Sequence, residues 1–160
     1  RQRRRLRLAA RRGETGRDRG GLGRPVPFMA AVCLQVCVSC ESVSGEPAAG
    51  GAVPAGRRLY EALLAATADI PDISVAPVDC FAVCDHPVTL AFRAGDGDPE
   101  RWSYLIGDAD AERDLADILA AARAVADSPH GVPAMEDRPP FFREGVIARV
   151  PPQPGEVKTP

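Results

Sequence analysis

One short stretch decides the fold: residues 30–40, which read AAVCLQVCVSC. Valine and leucine occupy every second position and alternate with cysteine and glutamine, and this period of two predicts a half-buried β-strand. The predicted strand ends at Ser39 and Cys40, so its carboxyl end carries two closely spaced cysteines, Cys37 and Cys40. We therefore expect a sheet strand whose end presents two thiols.

Outward from this strand the patterns alternate between helix and strand. Residues 41–56 are rich in Ser, Gly, Ala and Pro and predict a loop. Leucine, alanine and isoleucine at helical spacing then predict an amphipathic helix over about 56–68. A second strand is predicted over 73–80, followed by a short loop that holds Cys84. The remaining predicted elements are a third strand over 88–92, a turn over 94–99, a fourth strand over 102–106, a helix capped by Asp108 or Asp110 and reaching residue 126, and an apolar segment over 145–150.

The order of these elements predicts the fold class. A strand, helix and strand followed by a hairpin and a helix, βα-ββ(β)α, is the layout of the α/β thioredoxin-like fold, in which helices flank a central sheet. The right-handed crossover rule makes strands one and two parallel neighbours. Their carboxyl ends, and the cysteines there, should meet at one edge of the sheet.

Four cysteines carry the functional prediction: Cys37 and Cys40, separated by two residues, and Cys80 and Cys84, separated by three. Four thiolates from two loops are the ligand set of a tetrahedral zinc ion or an iron–sulfur cluster, and a binuclear iron centre takes two thiolates per iron. Backbone N–H groups of the Gly- and Ser-rich loop after Cys40 are expected to donate to the cluster sulfurs. We predict a [2Fe–2S] cluster on these four residues and assign no catalytic residue.

Several alternatives stay open for the cysteines. Zinc also accepts this spacing, with His86 as a spare ligand, although His86 is interpreted as a surface turn residue. Cysteine is often a buried core residue, which is our interpretation of Cys33. A thiol–disulfide oxidoreductase needs a helix N-terminus near the first thiol, whereas about fifteen loop residues separate Cys40 from the predicted helix. An electron carrier is therefore preferred over an enzyme.

The charge of the chain is unevenly distributed. Residues 1–28 hold ten Arg against Glu14 and Asp18, a charge of +8 in a chain whose net charge is −2, so the rest carries −10. An acidic body of this kind is expected to meet a basic redox partner protein. The basic tail contains no Ser, which argues against a transit peptide. Its single aromatic residue, Phe28, offers little stacking on bases, so no nucleic-acid partner is predicted.

The composition also indicates the domain boundaries and the cellular compartment. Residues 1–29 are predicted to be a disordered basic tail, with Met29 as an alternative start; residues 30–152 form the metal-binding domain, and 153–160 a loose end. No apolar run approaches the roughly 18 residues of a membrane span. An odd number of cysteines, five, without a signal peptide indicates a reducing compartment, and we expect a cytoplasmic protein.

Six segments of the sequence carry a resemblance to a known family: 36–40, 80–84, 87–91, 102–108, 126–131 and 145–152. Through them the sequence from about Val36 to Pro152 resembles a bacterial family known as domain of unknown function 1636, whose members are described as predicted metal-binding proteins. The resemblance implies metal binding, and the occurrence of family members near cobalamin-biosynthesis genes implies a metal-handling accessory role as an alternative. The cysteine layout is also similar to that of thioredoxin-like [2Fe–2S] ferredoxins, which have four residues rather than two inside the first pair.

Overall fold

The computed structural model describes residues 30–42, 51–95 and 100–152. The predictions of a disordered tail over 1–29, of a loose end over 153–160 and of N–H donors in the loop after Ser42 lie outside this described part. The elements in chain order are β1 Val32–Cys37, α1 Ala55–Ala66, β2 Ile73–Val78, β3 Leu90–Ala94, β4 Ser103–Ile106, α2 Leu115–Asp127, α3 Pro140–Glu144 and β5 Val146–Val150, with 3-10 turns at Pro129–Gly131 and Met135–Asp137.

The five strands form one mixed sheet in the order β2-β1-β3-β4-β5. Strands β1 and β2 are parallel, with Val32 opposite Ile73 and Cys37 opposite Val78. The other three pairings are antiparallel, and β3 and β4 form the expected hairpin. This is the thioredoxin-like arrangement, so the predicted fold class is confirmed.

The core lies on one face of the sheet. Alternate residues of β1, Val32, Leu34 and Val36, are fully buried there, while Cys33 and Gln35 between them are half-buried on the other face. Both α1 and α2 bury their apolar sides in the same cluster as these valines and Leu34, so the two long helices share one face. Cys33, interpreted from the sequence as a buried core residue, is therefore only half-buried, because period two turns it away from the helices.

Two element boundaries differ from the predictions for local reasons. Strand β3 begins at Leu90 rather than at residue 88, because Thr89 is still bound to the preceding turn, its Oγ1 donating to the His86 carbonyl oxygen at 3.0 Å. Helix α2 begins at Leu115, so neither Asp108 nor Asp110 caps it. Asp110 instead caps the preceding turn, its Oδ1 accepting the backbone N–H of Glu112 at 2.8 Å.

The predicted apolar segment near the C-terminus is β5, an edge strand paired with β4. The guanidinium of Arg149 on β5 lies 4.3 Å from the centroid of the Trp102 ring, so this arginine stacks on an aromatic face. Tyr104 on β4 is buried against Phe142 and Phe92, as expected for a packing residue. In the part of the chain that the structure describes, no helix is both long enough and apolar enough to cross a bilayer.

Candidate metal centre

The two cysteine pairs come together at one edge of the sheet. Cys37 is the last residue of β1, and its register partner Val78 is the last residue of β2. The backbone N–H of Val38 continues the ladder to the Val78 carbonyl oxygen at 2.9 Å. Because the strands are parallel, the chain leaves both at the same edge, towards Cys40 in one loop and towards Cys80 in the other.

Cys37 and Cys40, called the inner pair here, are held inside the fold. Cys37 is 3% exposed and Cys40 is half-buried against the margin of the core. The Cys37 Sγ lies 3.7 Å from the Ser39 Oγ and donates to the Asp79 carbonyl oxygen at 3.7 Å. Ser39 Oγ–H donates to the same carbonyl oxygen. The inner pair is therefore tied directly to the residue that precedes Cys80.

Cys80 and Cys84, the outer pair, are both exposed. The loop that carries them has Ala82 at a φ of 59°, a left-handed conformation that is uncommon for alanine. In this conformation the Ala82 N–H donates to the Cys80 Sγ at 3.2 Å. An N–H···S bond of this kind is typical of the surroundings of metal-bound cysteine.

The thiols of the two pairs interact with each other. Burial raises the pKa of the Cys37 thiol, but hydrogen bonds from the side chains of Ser39 and Cys40 and from the backbone of Phe81 and Ser39 outweigh it, so its pKa lies below the usual cysteine value. Burial, together with the hydrogen bond and charge of Cys37 and the charge of Cys84, raises the pKa of Cys40 to about 11, and a backbone hydrogen bond with Thr89 opposes this rise.

The outer pair is coupled in the same way. The charge of Cys80 is the largest cause that raises the pKa of Cys84, and Cys37 and Asp85 contribute in the same direction. Cys84 therefore interacts with its own partner and with the inner pair. Electrostatic interactions therefore connect the inner pair with the outer pair at a common edge of the molecule.

The donor set fits a thiophilic metal, although the side chains do not form a closed ligand cage. Among residues 30–42, 51–95 and 100–152, no three His, Cys, Asp or Glu side chains converge closely enough to hold an ion. The chemistry of the donors is nonetheless that of zinc and iron–sulfur sites: four thiols, with backbone hydrogen bonds reaching Cys37, Cys40 and Cys80. The assignment of the four cysteines as ligands stays a prediction.

The start of helix α1 also reaches this site. The backbone N–H of Gly56 donates to the Cys40 carbonyl oxygen at 2.9 Å, and that of Ala55 donates to the Glu41 carbonyl oxygen at 3.0 Å. A Cβ on Gly56 would overlap with the Cys37 carbonyl oxygen, so the helix packs directly on the inner pair. The expectation that the long loop keeps a helix N-terminus away from the inner pair is wrong. The chain returns after the loop, and the first residues of α1 contact the backbone of this pair.

Three further residues support the site: Ser39, Phe81 and Thr89. Ser39 directly precedes Cys40 and Phe81 directly follows Cys80, so their positions in the sequence could have identified both as neighbours of the thiols. Thr89 has no such signal, and its contact arises from the pairing of β1 with β3, where the Cys37 N–H donates to the Thr89 carbonyl oxygen at 3.0 Å. Sequence reasoning missed Thr89 because strand register is a tertiary property.

His86 lies in an exposed turn beside the outer pair, where the sequence placed it. Its Nδ1 lies 2.9 Å from Oδ2 of Asp108, whose φ of 59° turns the carboxylate towards the ring. The turn packs tightly against β4, because a Cβ on Gly107 would come within 2.5 Å of the His86 Cβ. His86 is therefore oriented by a carboxylate near Cys84.

The fold and this edge of cysteines define a thioredoxin-like protein with two thiol pairs at the ends of its parallel strands. The chain belongs to the DUF1636 family, described as a protein of unknown function, whose family model matches residues 34–152. A thioredoxin-like [2Fe–2S] ferredoxin from Aquifex aeolicus is similar in structure, at 17% identity and a TM-score of 0.47 over 79% of this chain and 99% of the ferredoxin. No curated protein matches the chain.

Proposed function

We propose that this protein binds a [2Fe–2S] cluster through Cys37, Cys40, Cys80 and Cys84 and acts as an electron carrier. The observation that supports the proposal is that two thiol pairs, in loops after two parallel strands, lie at one edge of the sheet. A binuclear cluster takes two thiolates on each iron, so each pair would hold one iron. The cluster would supply one-electron chemistry, and the N–H···S bonds would tune its potential.

Completing the ligand set requires side-chain movement in this proposal, because no three of the described His, Cys, Asp or Glu side chains lie close enough to hold an ion. Cys80 and Cys84 are exposed, so rotation between staggered χ1 positions meets little obstruction. Cys37 and Cys40 are held by backbone and side-chain hydrogen bonds and need to move least. The exposed carboxylates of the acidic body favour a redox partner with a basic surface.

Anaerobic purification with metal and sulfide analysis tests the proposal. We expect a brown protein with about two irons and two sulfides per chain, as the binuclear cluster requires. A colourless protein with one zinc per chain would instead indicate a non-redox zinc-binding or metal-handling protein. Replacing either pair by serine should abolish stable binding, whereas Cys33→Ser on β1 is the matched control and should leave the metal content unchanged.

A thiol–disulfide oxidoreductase is the second candidate, and the contact between the start of α1 and Cys40 favours it. A helix N-terminus stabilises a nearby thiolate, and Cys37 and Cys40 have the spacing of redox-active pairs. The 3% exposure of Cys37 opposes it, because an external disulfide has little access to that sulfur. A metal-free purified protein that reduces a model disulfide, and loses this activity in Cys37→Ser, would establish this function.

A further inference from the structure

The two cysteine pairs differ in how the protein holds them. The inner pair is buried or half-buried, and its sulfurs accept hydrogen bonds from Ser39, Phe81 and Thr89. The outer pair is fully exposed and lies on a loop, where one N–H···S bond from Ala82 holds Cys80. A metal shared by four such thiols has one side embedded in the protein and the other in solvent.

This asymmetry determines which bonds an incoming ligand can replace. A nucleophilic thiol must approach the metal from solvent, and the side of α1 and β1 is closed by the contact between Gly56 and the Cys37 carbonyl group. The side of Cys80 and Cys84 is open. Fewer hydrogen bonds and greater exposure also make the two outer side chains easier to displace.

On the basis of the proposed metal site, we propose that this protein transfers its metal or cluster to an acceptor protein that presents two thiols. Cys80 and Cys84 are the ligands released first. Two bonds from the metal to the outer sulfurs break, and two bonds to the acceptor thiolates form. The acceptor thiols lose two protons, the released cysteines take up two, and no electron moves. Cys37 and Cys40 retain the metal until the acceptor holds it.

The charges around the outer pair define the acceptor further. The exposed side chains of Asp79 and Asp85 border Cys80 and Cys84. Carboxylates at this position attract a partner whose thiols are surrounded by basic side chains and repel an acidic one. Thiolates are the ligands that zinc and iron–sulfur clusters prefer, so such an acceptor competes for the metal with ligands of the same kind.

Trapping the intermediate tests the proposal with zinc as the probe metal. Zinc-loaded protein is mixed with the chelator 4-(2-pyridylazo)resorcinol, quenched at intervals with N-ethylmaleimide, and examined by native mass spectrometry and peptide mapping. We expect a species that carries two maleimides, on Cys80 and Cys84, and still holds zinc. Modified chains that never hold zinc, or modification of the inner pair first, would overturn the inference.

A pair of variants that keep all four cysteines provides a second measurement. Ala82→Val disfavours the positive φ that directs the Ala82 N–H to Cys80, and it should speed zinc release about tenfold, the lower end of the effect of supporting residues on metal affinity. His130→Val strains a turn of similar φ, 55°, at the end of β4 that lies away from the cysteines, and should leave the release rate unchanged. Equal acceleration by both variants would contradict the proposal. Protein that binds neither zinc nor iron would instead refute the metal site itself.

Discussion

The backbone N–H of Gly56 donates a hydrogen bond to the carbonyl oxygen of Cys40, with 2.9 Å between nitrogen and oxygen. This bond joins the first turn of α1 to the loop of the inner pair, across a long excursion of the chain. The helix start and the thiol loop therefore form one rigid unit, although they lie far apart in sequence.

Enlarging Gly56 should disturb this unit. Its Cβ would overlap with the Cys37 carbonyl oxygen, a backbone atom that a side-chain rotation cannot move. We expect Gly56→Ala to lower the free energy of unfolding by about 1–3 kcal/mol despite the better helix propensity of alanine, and to weaken metal binding. Urea unfolding measures the first effect. Ala65→Ser, on the exposed side of α1, is the control and should change stability by less than about 0.5 kcal/mol.

Asp110 should make stability depend on pH. Hydrogen bonds from the backbone N–H groups of Arg113 and Glu112 lower the pKa of its carboxyl group below the usual value. A lowered folded-state pKa adds stability above the unfolded value near pH 4, and this stability is lost as the pH falls through the folded pKa. Asp110→Ala should therefore cost about 1 kcal/mol at pH 7 and almost nothing near pH 2.

Urea unfolding of wild type and variant at both pH values measures this difference. Asp110→Asn, which keeps an accepting oxygen but carries no charge, should lose part of this stability at pH 7. A cost of Asp110→Ala that stays constant between the two pH values would show that the ionised carboxylate is not the source.

The hydroxyl of Tyr104 contributes little to the stability of the core. The side chain is 1% exposed, and the Oη has no hydrogen-bond partner within the part of the chain that the structure describes. Removing an unsatisfied buried hydroxyl is neutral or favourable, so Tyr104→Phe should change the free energy of unfolding by between zero and about +1 kcal/mol. Tyr104→Ala, which also removes the ring that packs on Phe142, should cost about 3–5 kcal/mol. Thermal unfolding distinguishes the two.

Removal of the metal should leave the fold intact. The buried cluster lies between the sheet and helices α1 and α2, and of the four thiols only Cys40 packs against it, from its margin. Chelator treatment should therefore preserve the far-UV circular dichroism spectrum, while stability falls by about 3 kcal/mol if the metal had been present at a hundred times its Kd. Collapse of the spectrum would mean that the metal, and not the core, maintains the sheet.

Much of the fold was readable from local patterns. The alternation from Val32 to Val36 predicted a strand buried on one face, and these residues are fully buried. Helical spacing around Leu59 and Leu63 predicted α1, and both leucines face the core. The start of α2 was less predictable, because several acidic residues precede Leu115 and only the folded turn decides which of them accepts backbone N–H groups.

The site was predictable in its residue types and only partly in its geometry. Spacing alone paired Cys37 with Cys40 and Cys80 with Cys84, and the crossover rule placed both pairs at one edge. The sequence did not reveal that Thr89 contacts the inner pair, or that Cys37 is buried while Cys80 is exposed. Burial depends on what packs above a residue, and here that includes a helix from beyond the loop.

By itself the sequence determined the elements except the short helix α3, their order and the four candidate ligands, because side-chain period and short spacings act over a few residues. The tertiary structure alone decided that α1 begins against Cys40 and that one thiol pair is enclosed while the other is open to solvent. The physical reason is that strand register and the return of the chain after a loop depend on packing between distant segments. Residues that are far apart in the sequence can therefore lie close together in the fold.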